Sequence, residues 1–464
     1  MSKSSKVIKA GVGYTVGNYL LKGINFFAIP VFARLMATGD YGIYSTYIAY
    51  ESFFSHFVGL ALYMSLKNAK IKYEKEYFNY VKSMLVLQVM SMLFWGVIFF
   101  VFKTPMESVT GFSIQILFCM LIHAFCSSVL SMYSMHLSLS FSYKSYLKIA
   151  MFNAIANIGF SILFIATVFE DNAYLGRIIG TVAPLVIIAL YILWYLWKKG
   201  KKIKKEYAFY GLKYSLPLIP HAVSQMVLSQ FDRIMISKII GAVEAGIYSF
   251  AYNIYMIVEV TKGSLDGVWG PWFYEKMKAG EKVEIRNRCA DYAFGMLLFT
   301  VGIVCISPEL VLILGGKKYI NAIYVVIPIT ITGYYSFLYT FPAQLEYFYE
   351  KTKYISIGTI CAALVNVFLN ILYIPRYGYV AAAYTTEITY ILYFLLHYII
   401  AWKLGGKEIF PHKKIFLYAI CCGGIGVIAV ATIEKIIIRW SVALVCILIF
   451  IICFGRKIWF KGEK

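Results

Sequence analysis

The chain has 464 residues, of which 61% are hydrophobic, 18% aromatic and only 14% charged. Its mean hydropathy is +0.72, and 44 Lys and Arg against 23 Asp and Glu give a formal net charge of +21. A soluble globular chain carries roughly 25% charged residues, so a water-soluble enzyme, a disordered chain and a secreted disulfide scaffold are disfavoured together, and a polytopic membrane protein remains.

A membrane span needs roughly 20 mostly apolar residues. Fourteen stretches qualify, near 10–33, 42–65, 82–102, 112–137, 148–169, 176–197, 209–237, 245–270, 289–313, 322–348, 354–374, 379–402, 414–433 and 437–454. The expected fold is therefore all-α and polytopic, with about 14 transmembrane helices. Pro217 and Pro220 in the seventh stretch, Pro308 in the ninth, and Pro328 and Pro342 in the tenth predict kinks or breaks. Nine cysteines fall in or beside apolar runs with no CxxC and no Cys/His ligand spacing, so neither a disulfide framework nor a metal site is expected. Residues 1–9 are basic but lead into a full span, so no cleavable leader is expected.

The charge has two rival readings, nucleic-acid binding and membrane topology, which differ in where the bases sit. With the N-terminus inside, 31 of the 44 bases fall on cytoplasmic segments, including the run Lys198 to Lys205 (KKGKKIKK). Eight fall outside: Arg34, Lys103, Lys238, Lys317, Lys318, Arg376, Lys435 and Arg439. This asymmetry is the positive-inside rule. It predicts both termini in the cytoplasm and removes nucleic acid as a partner. Every loop is short, so the working parts are expected inside the bilayer.

Two stretches repeat. Residues 34–45 read RLMATGDYGIYS and residues 238–249 read KIIGAVEAGIYS, each joining the first two helices of a half. Asn153 and Asn157 in span 5 are echoed by Asn366 and Asn370 in span 11. The predicted organisation is a six-helix lobe at 1–205, a second at 206–402, and two further helices with a cytoplasmic tail at 403–464. Such duplication is common in secondary transporters, whose substrate path runs between the halves.

The segments KGINFFAIPVFARLMATGDYGIYS (22–45), YSLPLIPHAVSQMVLSQFDRIMISKIIGAVEAGIYSFAYNI (214–254), GPWFYEK (270–276) and NVFLNILYIPRYGYVAAAY (366–384) resemble the Wzx-type polysaccharide flippases of the multidrug/oligosaccharidyl-lipid/polysaccharide (MOP) exporter superfamily. The resemblance spans both halves. It implies a MATE/MurJ-like transporter fold in a bacterial cytoplasmic membrane. It also implies flipping of an undecaprenyl-diphosphate-linked glycan by alternating access, for O-antigen, capsule or a related surface polymer, with other polysaccharide-assembly proteins as partners. The alternatives are a drug exporter of the same superfamily and a membrane glycan polymerase or ligase. Short outer loops argue against the latter.

Polar residues within the spans nominate the site, because a charge at the bilayer centre costs at least about 2.5–3.5 kcal/mol. Span 1 carries Gly11, Thr15, Asn18, Lys22 and Asn25 on one helical stripe. Lys22, with Asn18 and Asn25, reads as a cavity group for an anionic headgroup; its alternative is a structural pair with Glu51. Span 8 carries Tyr255, Glu259, Lys262 and Asp266 on one face, which is either self-neutralising or, through Lys262, a phosphate contact. Glu51 in span 2 is a candidate proton carrier. Asp232 and Arg233 near the outer end of span 7 read first as interfacial structure, with Asp232 kept among the candidates for ion coupling. Asn366, Asn370, Thr386 and Glu387 either glue helices together or, as the resemblance implies, serve coupling to Na+ or H+, with Glu259 a further candidate. No catalytic or metal site is expected. Arg177 and Lys213, close to span ends, are expected to snorkel to the interface. His123, His136, His221 and His397 are expected to be packed singly.

Overall fold

A computed structural model describes residues 3–455, with side chains described for 13–454. Among them the chain is helical, with no strand. The side chains of Lys3, Lys6 and Lys9, and the tail bases Arg456, Lys457, Lys461 and Lys464, lie outside the described residues.

Every predicted span has its helix. In the first lobe these are α1 (Lys3–Leu35), α2 (Thr38–Val58), α3 (Tyr77–Val101), α4 (Ile114–Leu139), α5 (Tyr143–Thr167) and α6 (Ala173–Lys199). Next come α7 (Ile219–Ile239), α8 (Ala242–Ala279), α9 (Lys282–Gly315), α10 (Ile323–Phe348), α11 (Thr352–Tyr377) and α12 (Tyr379–Ala401). The last two are α13 (His412–Ala431) and α14 (Ile436–Phe450). Eleven of these helices, with their flanks, are long and apolar enough to cross a membrane. The other three are α2, α7 and α8. At 21, 21 and 38 residues and about 1.5 Å per residue, each has the length that roughly 30 Å of hydrocarbon requires. What they lack is apolarity, since they carry Glu51 and His56, Asp232 and Arg233, and Glu259, Lys262 and Asp266.

Two helices depart from their predicted ends. α2 stops at Val58 because Leu60 and Ala61 adopt left-handed φ values of 50° and 48°. Gly59 fits there only because it lacks a Cβ, which would stand 2.6 Å from Ser128 Cβ. α8 runs on to Ala279, about 57 Å of helix, and closes on Gly280 at φ 74°, the usual left-handed cap. The break predicted at Pro217 and Pro220 is present: the helix Lys205–Ser215 ends, a 3-10 turn follows, and α7 restarts at Ile219. Pro220 cannot accept a preceding turn because its ring clashes with the carbonyl four residues back. The prolines of α9 and α10 are absorbed without a break.

By Cα packing the chain divides into two compact units, Met1–Met226 and Val227–Lys464; the division falls inside α7. In the first unit α5 packs along α6 at a small-residue step. A Cβ on Gly176 would stand 2.9 Å from Ile165 N, and one on Gly180 2.4 Å from Ser161 Cα. This is the Gly-xxx-Gly device by which membrane helices bring their backbones close. The basic run after α6 docks on the start of α3. Lys82 donates to Gly200 O at 3.0 Å, and the amides of Lys201 and Lys202 donate to Asn79 Oδ1. Lys204 pairs with Glu76 at 2.6 Å. Hydrogen bonds with Glu76 and Tyr207 hold the Lys204 ammonium well above its ordinary pKa.

In the second unit α10 is the enclosed helix, with 89% of its apolar window buried. α12 packs on both α10 and α11. α14 is tied to α9 by a bidentate bridge from Arg439 to Glu309, both bonds 2.8 Å.

Candidate functional site

One asparagine of each pair, Asn157 and Asn370, bonds a charged side chain, and the two charges are opposite. In the first unit, the close approach at Gly176 and Gly180 sets Arg177 of α6 against α5. Its Nη1 donates to Asn157 Oδ1 at 2.5 Å and to Ser161 Oγ at 2.7 Å. The guanidinium lies 3.7 Å from the centroid of the Phe32 ring and 4.9 Å from that of Tyr44, in cation–π range. No carboxylate pairs with it among the described residues. Where sequence expected Arg177 to reach along its own helix toward the interface, its Nη1 turns instead to amide and hydroxyl acceptors on the neighbouring helix. It borders a cavity of about 420 Å³ whose wall includes Asn25, Tyr44, Tyr133, Tyr146 and Asn153.

In the second unit the pair Asn366 and Asn370 holds a carboxylate. Asp232 of α7 is 1% exposed. Its Oδ1 accepts from Asn370 Nδ2 at 2.7 Å; its Oδ2 accepts from Tyr248 Oη at 2.6 Å and Thr386 Oγ1 at 2.9 Å. Asn366 Nδ2 donates to Thr386 Oγ1 at 3.2 Å, and Asn370 Nδ2 also donates to Asn366 Oδ1 at 3.1 Å. Thr385 donates to Asn370 Oδ1. Both asparagines are fully buried. Asp232 has no ion pair among the described residues. A buried charge is costly unless hydrogen-bonded or paired, and here neutral donors carry that duty. Asp232 thus sits in the polar core of its unit with the α11 and α12 residues that sequence placed elsewhere. Glu387, one residue on, is half-buried and outside this network.

On α8, Lys262 pairs with Glu259 at 2.8 Å and donates to Ser336 Oγ at 3.0 Å. Tyr255 Oη donates to Glu259 Oε2 at 2.5 Å. Asp266 instead accepts from Gln344 at 3.4 Å. The self-neutralising face is therefore the arrangement present.

The α1 stripe differs. Thr15, Asn18, Lys22 and Asn25 are all exposed. Gly11 lies outside the described side chains. Asn18 accepts from Tyr146 Oη at 3.1 Å. Lys22 has no ion pair among the described residues, and Glu51 is buried with Oε1 unpartnered, so the Lys22–Glu51 pair is not made.

Sequence reasoning missed two features. His397 is not packed singly: it meets Glu346 at 2.7 Å with both side chains at 0% exposure. Fifty-one residues separate them, so no local pattern announces the pair. Arg177 was set aside because it lies near a helix end, although the Gly176/Gly180 step beside it was a signal. His123 and His136 do pack on aromatic rings, His123 stacking on Tyr47 and His136 on Tyr77.

Known proteins resemble this architecture. Residues 8–277 match the model of a family described as polysaccharide biosynthesis protein. Protein 1 of the Lsg locus in Haemophilus influenzae is 25% identical over 416 residues, which cover 84% of this chain and 98% of that protein. The solved structure of the lipid II flippase MurJ in an inward closed conformation superposes with a TM-score of 0.74 at 15% identity, covering 96% of this chain and 99% of that one. An inward-facing multidrug resistance MATE family transporter of the MOP superfamily gives a TM-score of 0.61 at 14% identity, covering 83% and 95%. At these identities the two structures establish the fold.

Proposed function

Because the chain belongs to the polysaccharide biosynthesis protein family, a family of membrane-embedded flippases and not of enzymes, we propose that it flips an undecaprenyl-diphosphate-linked oligosaccharide repeat unit. The unit would cross a bacterial cytoplasmic membrane by alternating access, for O-antigen, capsule or a related surface polymer. In this reading residues 1–205 and 206–402 are the two lobes, 403–464 the accessory helices and tail, and both termini are cytoplasmic.

The observation that supports this substrate best is Lys22. A lysine on a membrane-length helix is tolerated where it meets water or a counter-charge. Lys22 is exposed on a stripe of Asn and Thr without an acidic partner among the described residues. That combination suits a wet path for an anionic diphosphate, with Asn18 and Asn25 offering hydrogen bonds. It does not suit a cationic drug. Lys262 is the second contact in this reading, available to phosphate only by exchange with Glu259.

Coupling to Na+ or H+ is assigned to Asp232 with Asn366, Asn370 and Thr386. The Asp232 carboxylate would supply the charge balance for a cation once Asn370 and Thr386 turn from donating to it and present their oxygens, and protonation of Asp232 would do the same. Glu51, buried with Oε1 unpartnered, is the alternative proton carrier, and Glu259 and Glu387 rank after it.

The test is translocation of a fluorescent lipid-linked oligosaccharide in proteoliposomes, read by an impermeant quencher. Wild type is expected to exceed protein-free vesicles, Lys22→Ala to slow it at least tenfold, Lys262→Ala to slow it less, and Lys22→Arg to retain most of it. Wild-type rates no faster than protein-free vesicles, or unchanged flipping in a well-folded Lys22→Ala, would overturn the headgroup reading. Transport of a cationic drug in place of the lipid-linked glycan would favour the exporter.

A further inference from the structure

The first unit contains a cavity whose one cation among the described residues, Arg177, the diphosphate reading leaves unused, although Asn25 of that reading lies on the same wall. Arg177 is half-buried on its wall. A guanidinium carries five N–H donors in a fixed fork. Here Nη1 is committed to Asn157 and Ser161, while Nε and Nη2 have no protein acceptor among the described residues. Phe32 and Tyr44 fix the plane of the group. The fork is therefore oriented in advance with one edge still to be satisfied. A planar oxyanion is the chemistry that matches two parallel N–H donors.

The rest of the wall points to a sugar. Asn153, one turn from Asn157, has its Oδ1 buried without a hydrogen-bond partner among the described residues. It lacks a donor of the kind a sugar hydroxyl supplies. Tyr44, Tyr133 and Tyr146 present aromatic surface on the same cavity. At about 420 Å³ the cavity lies at the small end of ligand pockets, roughly 300–1,000 Å³. It suits one portion of a large substrate and not a whole repeat unit.

We infer that the cavity walled by Arg177, Asn153, Tyr44, Tyr133 and Tyr146 is an oxyanion subsite, in which Arg177 forms a bidentate pair with a carboxylate or phosphate oxyanion of the substrate. The inference deepens the flippase reading and rests on it for the identity of the substrate. The oxyanion has two sources: an acidic sugar of the glycan, or the diphosphate of the lipid. The unpartnered Asn153 favours the sugar.

The test is binding to the full-length protein in detergent, read as the ligand-induced rise in unfolding temperature and by titration calorimetry. The probes are methyl glucuronide, methyl glucoside and inorganic diphosphate. Methyl glucuronide is expected to bind at least tenfold more tightly than methyl glucoside. Arg177→Gln is expected to remove that preference, and Arg177→Lys to weaken it by retaining charge without the fork. Asn153→Ala breaks no hydrogen bond among the described residues, so it should weaken glucuronide severalfold while leaving the ligand-free unfolding temperature in place. Tighter binding of diphosphate than glucuronide, again lost in Arg177→Gln, supports the subsite with the lipid as its source. Equal binding of glucuronide and glucoside, or an oxyanion preference that survives both Arg177→Gln and Asn153→Ala, overturns it. Protein that flips the lipid-linked glycan yet shows no such preference breaks this inference alone. Protein that binds the probes but flips nothing breaks the flippase reading.

Discussion

Asn157 of α5 and Asn370 of α11 each bond a charged side chain, yet the two charges are opposite in sign. Asn157 steadies the cation of Arg177 beside an open cavity. Asn366 and Asn370 enclose the anion of Asp232 away from solvent. The amide serves both because it carries an acceptor and two donors. The lesson is that a polar position on a membrane-length helix does not by itself fix which charge it will hold. One position is half-open with donors to spare; the other is closed and satisfied.

The largest effect should come from removing the enclosed charge. Asp232→Ala leaves Tyr248, Asn370 and Thr386 without their acceptor in a dry setting. At about 1–3 kcal/mol for each buried group left unpaired, it should destabilise by more than 3 kcal/mol, lowering the unfolding temperature in detergent. Asp232→Asn keeps the shape, costs less, and should remove the response of flipping to an ion gradient.

The asparagines themselves sharpen the contrast. Asn370→Ala strips partners from Asp232, Thr385 and Asn366, and should cost about 3 kcal/mol. Asn157→Ala removes one bond from a half-buried arginine that retains Ser161 and two aromatic faces, and should cost about 1 kcal/mol. Equal losses in the two halves would break the comparison. Between them lies the backbone step that positions Arg177. Gly180→Ala places a methyl 2.4 Å from Ser161 Cα, so α5 and α6 must part at about 2 kcal/mol, and the oxyanion preference should weaken with the loss of the Arg177–Ser161 bond. The smallest effect is Asn153→Ala, under about 0.5 kcal/mol, whereas its repeat-mate Asn366→Ala breaks two buried bonds and should cost about 2 kcal/mol.

Hydropathy made the helices legible, because lipid imposes apolarity on the sequence directly. It also marks where the chain breaks that rule. The three span-length helices that are too polar to count as ordinary spans are α2, α7 and α8, which hold several of the nominated residues. Lys262–Glu259 was readable because it is an i,i+3 pair on one helix. Asp232 with Thr386 was not, since 154 residues separate them, and neither was His397 with Glu346. Arg177 was misplaced for a related reason. Distance from a helix end measures reach to the interface along one helix, but its fate was decided by how closely a second helix could approach. The Asn153/Asn157 echo marked a polar position on α5 and left its charge partner open.

The division of labour between the halves is tested most directly by one flipping assay under an imposed ion gradient, with wild type, Asp232→Asn and Arg177→Gln run against lipid-linked oligosaccharides with and without an acidic sugar. The account predicts that Asp232→Asn loses the gradient response and keeps the preference for the acidic glycan, while Arg177→Gln loses the preference and keeps the gradient response. Two folded variants that fail in the same way, or a preference that follows Asp232 and a gradient response that follows Arg177, would contradict it.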